Sequence, residues 1–428
     1  GNNQIKTPVL DALSKRSTRF NNFYVSPVCA PTRSSLMTGR YSLRTGVRDT
    51  YNGGAIMASN EVTIAEMLKQ ANYNTGMFGK WHLGATDKYH PNNRGFTDFY
   101  GFLGGGHNYH PEDYKPKYLA AKERGVKVIW DYLSPLEHNG TEVNDDNEYL
   151  TDVLSNYGVR FIEESSKEEE PFFLFMSYNA PHTPLEAKKE DMEVFANIKN
   201  ENRRTYAAMV YAVDRGVEKI VESLKATGQY DNTLIVFYSD NGGRPDKGAS
   251  NYPLKDGKGS VYEGGFRVPM FFHWNGVVPS GMIYDSPISA LDLYPTFANL
   301  ADAKIPITKA LDGKDMWDSF MMNKEVRVDD NIFTMRHRNG FSDVGVRNGK
   351  WKAVKAYQQE WKLFDIENDL DESNDISSSH SDVLKKLVVD AEAWSKTHIQ
   401  PRWWHNNKTG VEWKEDEMPH FEKTFKIK

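Results

Sequence analysis

A handful of short segments carry residues whose types and spacing could do chemistry. The single cysteine stands in Cys29-Ala30-Pro31-Thr32-Arg33, with Thr38-Gly39-Arg40-Tyr41 shortly after. One cysteine makes no internal disulfide, so Cys29 is a buried small hydrophobe, a reactive thiol or the precursor of another group. Gly79-Lys80-Trp81-His82 places an ammonium and an imidazole two residues apart. In an extended segment such residues point the same way, so Lys80 and His82 could face one ligand, an anionic oxygen suiting the lysine. Asn179-Ala180-Pro181-His182-Thr183-Pro184 holds His182 in a stiff loop between prolines, with a buried structural histidine as an equal alternative. Asp240-Asn241-Gly242-Gly243 offers two hard oxygen ligands, suited to Ca²⁺ or Mg²⁺ rather than Zn²⁺. On those residues alone a turn without a metal is the better reading. Lys258 lies between Gly257 and Gly259, where the backbone can approach an anion closely, and Lys255 is a weaker candidate. His107 and His110, with Tyr109 between them, follow three glycines and either touch a sugar or simply line a loop. Arg94, Asp98, Glu263 and Arg267 read as structural, the last two as a pair.

The elements that must position these groups follow from pattern. Thr7-Pro8 opens a short helix through Leu13. An apolar stretch over 20–25 reads as a strand delivering the chain to Cys29, which opens a helix whose N-terminus would favour an anion. Thr63-Ile64-Ala65-Glu66 is a capping box, and 73–78 is a strand ending at Gly79. The uninterrupted apolar runs 171–178 and 233–239 suit strands covered on both faces. Between them Tyr206, Met209, Val213, Val217, Ile220 and Leu224 recur at helical spacing up to a stop at Gly228. Strand, long helix and strand imply a crossover in a mostly parallel sheet flanked by helices, an α/β fold over 1–330. His182 and Asp240 then follow the carboxyl ends of strands, where such sheets bind ligands. Residues 331–428 form a smaller α+β subdomain, with a hairpin over 346–352, a strand at 361–365 and a helix over 381–395.

A chain of 428 residues with 39% hydrophobic and 26% charged residues has a soluble globular balance. Its net charge of -6 argues against a nucleic-acid grip but not against a local basic pocket. No apolar run approaches the roughly 20 residues of a membrane span. Trp81, Tyr109, Trp403 and Trp404 suit carbohydrate stacking or core filling equally.

The Cys29-x-Pro31-x-Arg33 pattern with the following Thr38-Gly39-Arg40 resembles the maturation signature of the type I, formylglycine-dependent sulfatases of the alkaline phosphatase-like superfamily. The segments around His82, His182 and Asp240 resemble further blocks of that family and occur in family order. The longest match, Leu254-Lys255-Asp256-Gly257-Lys258-Gly259 through Pro269, follows them. The resemblance implies an α/β sulfatase domain over 1–330 and a C-terminal subdomain with an antiparallel sheet and one helix. It implies that Cys29 is oxidised by a formylglycine-generating enzyme, that the hydrated aldehyde attacks sulfur, and that Arg33 holds the diol. His182 would protonate the leaving alcohol, and His82 would help expel sulfate. Lys80, Lys258 and a cation, Ca²⁺ before Mg²⁺, on Asp240 and Asn241 would neutralise the sulfuryl oxygens. Many members with this look act on sulfated polysaccharides, so a sulfated glycan is the expected substrate, contacted also by His107 and His110. The lack of disulfides fits a secreted or periplasmic bacterial enzyme.

One departure stands out. The family begins with a strand ending in Asp-Asp-x-Gly, and this chain starts at Gly1-Asn2-Asn3, just past where that strand should end. The expectation is a chain lacking its first strand, with a weakened or empty metal site and uncertain activity, since two ligands fall short of the roughly six to eight oxygens of Ca²⁺. The alternatives are a phosphodiesterase or phosphonate hydrolase of the same superfamily, and an inactive sulfatase-like module of a larger polypeptide.

Overall fold

The computed structural model describes residues 4–50, 55–126, 131–143, 147–306, 309–338, 341–356 and 358–399. Trp403 and Trp404 lie outside them. The helix expected to open at Cys29 is α1 (Cys29–Thr38), and all ten of its residues are buried. A buried helix this polar needs internal partners. Thr32 Oγ1 accepts from Ser26 N–H at 2.9 Å, Thr38 Oγ1 donates to Ser34 O at 2.8 Å, and the Ser34 and Thr45 hydroxyls meet at 2.5 Å.

The stretch over 20–25 is broken into two short strands, Thr18–Phe20 and Phe23–Tyr24, rather than one. The strand before Lys80 is β1 (Asn74–Lys80), preceded by a helix at Ile64–Gln70 that starts in the expected capping box on Thr63. It pairs in parallel with β2 (Asp98–Phe102) on one side and β3 (Phe172–Ser177) on the other. The β1–β3 approach is close at Gly79, opposite Ser177: a Cβ there would lie 1.9 Å from Ser177 O, and φ is +124°. Helix α2 (Leu150–Ser165) leads into β3, and the long helix α3 (Glu201–Ala226) packs on α2 and leads to β4 (Ile235–Tyr238).

The sheets are mixed rather than mostly parallel. β3 ends the five-stranded sheet, and β4 belongs to a separate four-stranded sheet, where it pairs antiparallel with β5 (Met270–His273). Each of β3 and β4 therefore has a strand neighbour on one side only among the described residues. Their apolar side chains, from Phe172 to Met176 and from Ile235 to Tyr238, are only partly buried. The crossover by α3 joins two sheets instead of two neighbours in one.

The C-terminal subdomain is an antiparallel meander of β6 (Ile332–Arg338), β7 (Phe341–Asn348), β8 (Trp351–Lys355) and β9 (Lys362–Asp365). Helix α4 (Ser381–Ser395) lays Leu387, Ala391 and Trp394 on a core shared with Val344, Val346 and Leu363. A buried charge cluster fastens this sheet to the first domain. Lys352 Nζ on β8 donates to Glu263 Oε1 at 2.8 Å and lies 3.1 Å from Glu372 Oε1. Glu263 also accepts from the Tyr24 hydroxyl at 2.9 Å and pairs with Arg267 at 3.4 Å.

Candidate active site

Cys29 is the first residue of α1, so the unpaired N–H groups of that helix turn surround it. Its Sγ lies 3.5 Å from His82 Nδ1. His82 Nε2 sits 2.7 Å from Thr50 O, which fixes the tautomer: Nε2–H donates to the carbonyl, and Nδ1 faces the sulfur. The way His82 arrives differs from the expectation of alternating extended residues. β1 ends at Lys80, and His82 adopts φ +61°, a left-handed conformation that swings its ring back toward α1.

Lys80 is 2% exposed. Burial pulls its pKa down and the charges of Arg33 and Lys258 add to this, against the pull of Cys29 and Asp240. The Cys29 thiol is held well below its ordinary value: burial opposes ionisation, but Lys80, Lys258 and His82 together outweigh it. Main-chain contacts bring the four segments together: Lys80 O accepts from Arg33 of α1, and Gly259 N–H, next to Lys258, donates to Pro27 O. A thiolate here reports the chemistry of the place, which is a strongly positive field at a helix N-terminus built for an anion.

Arg33 is the strut of the site. Its Nη1 donates to Lys80 O and to Ser177 Oγ, each at 2.6 Å, and its Nε lies 3.6 Å from Asp240 Oδ2. It thereby ties α1 to the carboxyl ends of β1, β3 and β4. Ser177, which carries no motif in the sequence, donates its hydroxyl to Lys80 O at 2.7 Å and completes the triangle.

His182 follows β3 between two cis prolines. Its Nδ1–H donates to Thr183 O at 2.8 Å, leaving Nε2 as the atom that gains or loses a proton. Burial first, then Lys80 and Lys258, hold its pKa well below the usual imidazole value. An anion placed among the lysines would offset that repulsion and raise it again. Tyr109, expected at most to stack on a sugar, instead donates its hydroxyl to His182 O at 2.8 Å and so fixes the loop.

Asp240 follows β4. Burial works against its charge, but Arg33, Lys80, Lys258 and His82 keep its carboxyl below the ordinary range. Asn241 Nδ2 donates to Gly242 O at 2.9 Å, while its Oδ1 is buried without a hydrogen-bond partner among the described residues. An ionised carboxylate beside an orphaned amide oxygen fits a hard cation in donor type. No group of three or more His, Cys, Asp or Glu that could hold a metal occurs among the described residues.

His107 and His110 are not brought into this cluster. His107 is fully buried, with Nδ1 2.6 Å from Asn108 O and Nε2 2.9 Å from Ser134 O, so its ring is committed to the backbone. Packing against Phe102 and Tyr114 makes it a loop residue rather than a sugar contact. His110 precedes the helix Pro111–Glu123 and lies 3.9 Å from Glu112, with its ring against Tyr149. Trp81 and Tyr109 are each 1% exposed, which is core filling rather than stacking.

Residues 1–303 match the family described as sulfatase, and residues 255–394 match "N-sulphoglucosamine sulphohydrolase, C-terminal". The chain is 30% identical to Arylsulfatase J of Mus musculus, covering 94% of this chain and 73% of that protein. It is 52% identical to the crystal structure of Ps i-CgsB, with a TM-score of 0.92, covering 100% of this chain and 95% of that one. The crystal structure of Ps i-CgsB in complex with k-i-k-neocarrahexaose aligns with the same TM-score of 0.92 at 51% identity, covering 97% of this chain and 92% of that one.

Proposed function

The chain belongs to the sulfatase family and is a sulfuric ester hydrolase, and from that premise we propose that it removes sulfate from a sulfated galactan of the carrageenan type. The observation that carries the reading is the convergence of Cys29, His82, Lys80 and Lys258 at the N-terminus of α1. The similarity to a structure holding a carrageenan oligosaccharide supplies the substrate class.

In this reading Cys29 is converted to formylglycine, whose hydrate supplies the attacking hydroxyl. The rest is done by the chain's own residues. Arg33, anchored on Lys80 O and Ser177, keeps the nucleophile-bearing turn and the Asp240 segment in register. Lys80 and Lys258 hold the sulfuryl oxygens as charge grows on them, the main source of acceleration in such transfers. His182, neutral in the free protein, takes up a proton at Nε2 when the anionic ester sits between the lysines, and passes it to the departing sugar oxygen. His82, its Nε2–H held by Thr50 O, presents Nδ1 to the second hydroxyl on residue 29; taking that proton lets the bond between residue 29 and the sulfate oxygen break, so that sulfate leaves and the aldehyde re-forms.

Asp240 and Asn241 would hold a divalent cation, Ca²⁺ before Mg²⁺, which would polarise the sulfuryl group. Two oxygens are part of a shell. Among the described residues β3 and β4 each have one unpaired edge, and Arg33 bridges their ends; a strand between them would have room to bring further carboxylates to the site. A polysaccharide too large to cross a membrane unaided supports a secreted or periplasmic enzyme as part of this reading.

The test is sulfate release from carrageenan oligosaccharides by protein made with a formylglycine-generating enzyme, beside phosphate or phosphonate release from diester and phosphonate substrates. Faster turnover of the phosphorus substrates would replace the sulfatase reading with the hydrolase one. Oligosaccharide binding without any turnover would make the chain a binding module.

A further inference from the structure

One cation of the C-terminal sheet also reaches the site. Arg336 lies on β6. Its guanidinium covers Gly259, where a Cβ would sit 1.7 Å from Nη1, and φ there is +89°. Gly259 directly follows Lys258, and its N–H donates to Pro27 O at 2.7 Å, two residues before Cys29. Arg336 therefore stands over the turn that carries Lys258.

A second loop meets it there. The Asp49 carboxyl is 2% exposed; burial pushes its pKa up, and Arg336 is the cation that most opposes this. Asp49 Oδ1 accepts from Thr50 N–H at 2.8 Å, and Thr50 O receives the Nε2–H of His82. The guanidinium thus lies over the turn bearing Lys258, and its charge reaches the loop that orients His82.

It is not used up by either. Arg336 Nε is buried and has no hydrogen-bond partner among the described residues. A buried unsatisfied donor is costly, and cheapest to keep where a ligand completes it. The glycine beneath it is the only side-chain choice that leaves the fork room at that φ. A guanidinium presents paired donors that match the oxygens of an oxyanion, whereas the lysines act as point charges. In the functional reading above, the scissile sulfate is held by Lys80 and Lys258.

We propose that Arg336 is a substrate-binding residue that takes a second sulfate ester on the glycan, so that the C-terminal subdomain selects saccharides bearing a further sulfate near the cleaved one. The proposal rests on the functional reading above, and its test separates the two.

The experiment compares the unsubstituted full chain with Arg336→Ala and Arg336→Lys, all with Cys29 converted. Carrageenan oligosaccharides of equal length are used, with one or with two sulfates per repeat. The preference, as the ratio of kcat/KM for the doubly to the singly sulfated form, should fall about tenfold to a hundredfold in Arg336→Ala, mostly through KM. Arg336→Lys should recover part of it. An unchanged preference, whether activity is kept or lost equally on both, overturns the proposal. Calorimetric binding of the same two oligosaccharides to Cys29→Ala and Cys29→Ala/Arg336→Ala proteins needs no turnover. A drop in the affinity ratio there supports Arg336 even if no sulfate is released, and the functional reading alone would then fail. Equal ratios overturn it.

Discussion

The buried cluster that joins the two parts of the chain should make stability fall as pH rises, through Glu372. Its side chain is fully buried; Oε2 accepts from Glu263 N–H at 2.7 Å, and Oε1 lies 3.1 Å from Lys352 Nζ. Its main-chain carbonyl accepts from Lys255 Nζ at 2.8 Å, within the segment that carries Lys258. Burial, and the charge of Glu263 beside it, push its pKa from 4.5 to about 7 against the pull of Lys352. Between those values the folded protein keeps a proton that the unfolded chain has lost. Stability therefore declines with rising pH, by up to about 1.4 kcal/mol per pH unit and about 3 kcal/mol over the whole interval. Glu263 works the other way, since its pKa is lowered, but its stabilisation is lost only at lower pH, below the ordinary glutamate range. Glu372→Gln removes the titration. An amide and a protonated carboxyl face the same two donors with one acceptor oxygen each, so the variant and the parent should be about equally stable at pH 5. At pH 8 the variant should be the more stable by about 2–3 kcal/mol. Urea unfolding followed by tryptophan fluorescence at pH 5, 6, 7 and 8 measures this. Parallel stability curves for the two proteins, or a variant weaker than the parent at pH 8, would falsify the reasoning.

Gly79→Ala should destabilise the protein by more than about 2 kcal/mol, because the new methyl meets Ser177 O at 1.9 Å on a backbone with φ +124°. An unchanged thermal midpoint would show that β1 and β3 are not held that closely. His182 should stay neutral at pH 6 in the free protein and gain its proton at a higher pH when inorganic sulfate is added. Ring-labelled NMR titration reads this directly, and a pKa that sulfate leaves in place or lowers would remove it as the acid. Chelation should lower the protein's thermal midpoint together with its activity. Ca²⁺ should restore both better than Mg²⁺, and a protein indifferent to chelator would leave Asp240 and Asn241 as a turn.

Local chemistry was readable in the sequence. The start of α1 at Cys29, the capping box on Thr63 and the apolar runs of β3 and β4 are set by neighbours within a few residues. Sheet membership was not, because pairing is decided by distant partners: β4 joins β5 rather than a sheet with β3. Lys80 and His82 do converge with Cys29, but through a left-handed turn at His82 instead of strand alternation. His107 looked the equal of a ligand because nothing nearby announces that Ser134, far along the chain, supplies a carbonyl to its ring. Ser177, Lys352, Glu372 and Arg336 carry no motif; only packing against segments distant in the chain gives them their places.

The central claim is tested most directly by one paired measurement on protein made with and without a formylglycine-generating enzyme. Mass spectrometry of the tryptic peptide ending at Arg33 reads the state of residue 29, and ion chromatography reads sulfate freed from a carrageenan oligosaccharide. The account predicts sulfate release in proportion to the converted fraction, and none from Cys29→Ala. Release that is unaffected by conversion, or a fully converted protein that frees no sulfate even with Ca²⁺ supplied, would contradict it.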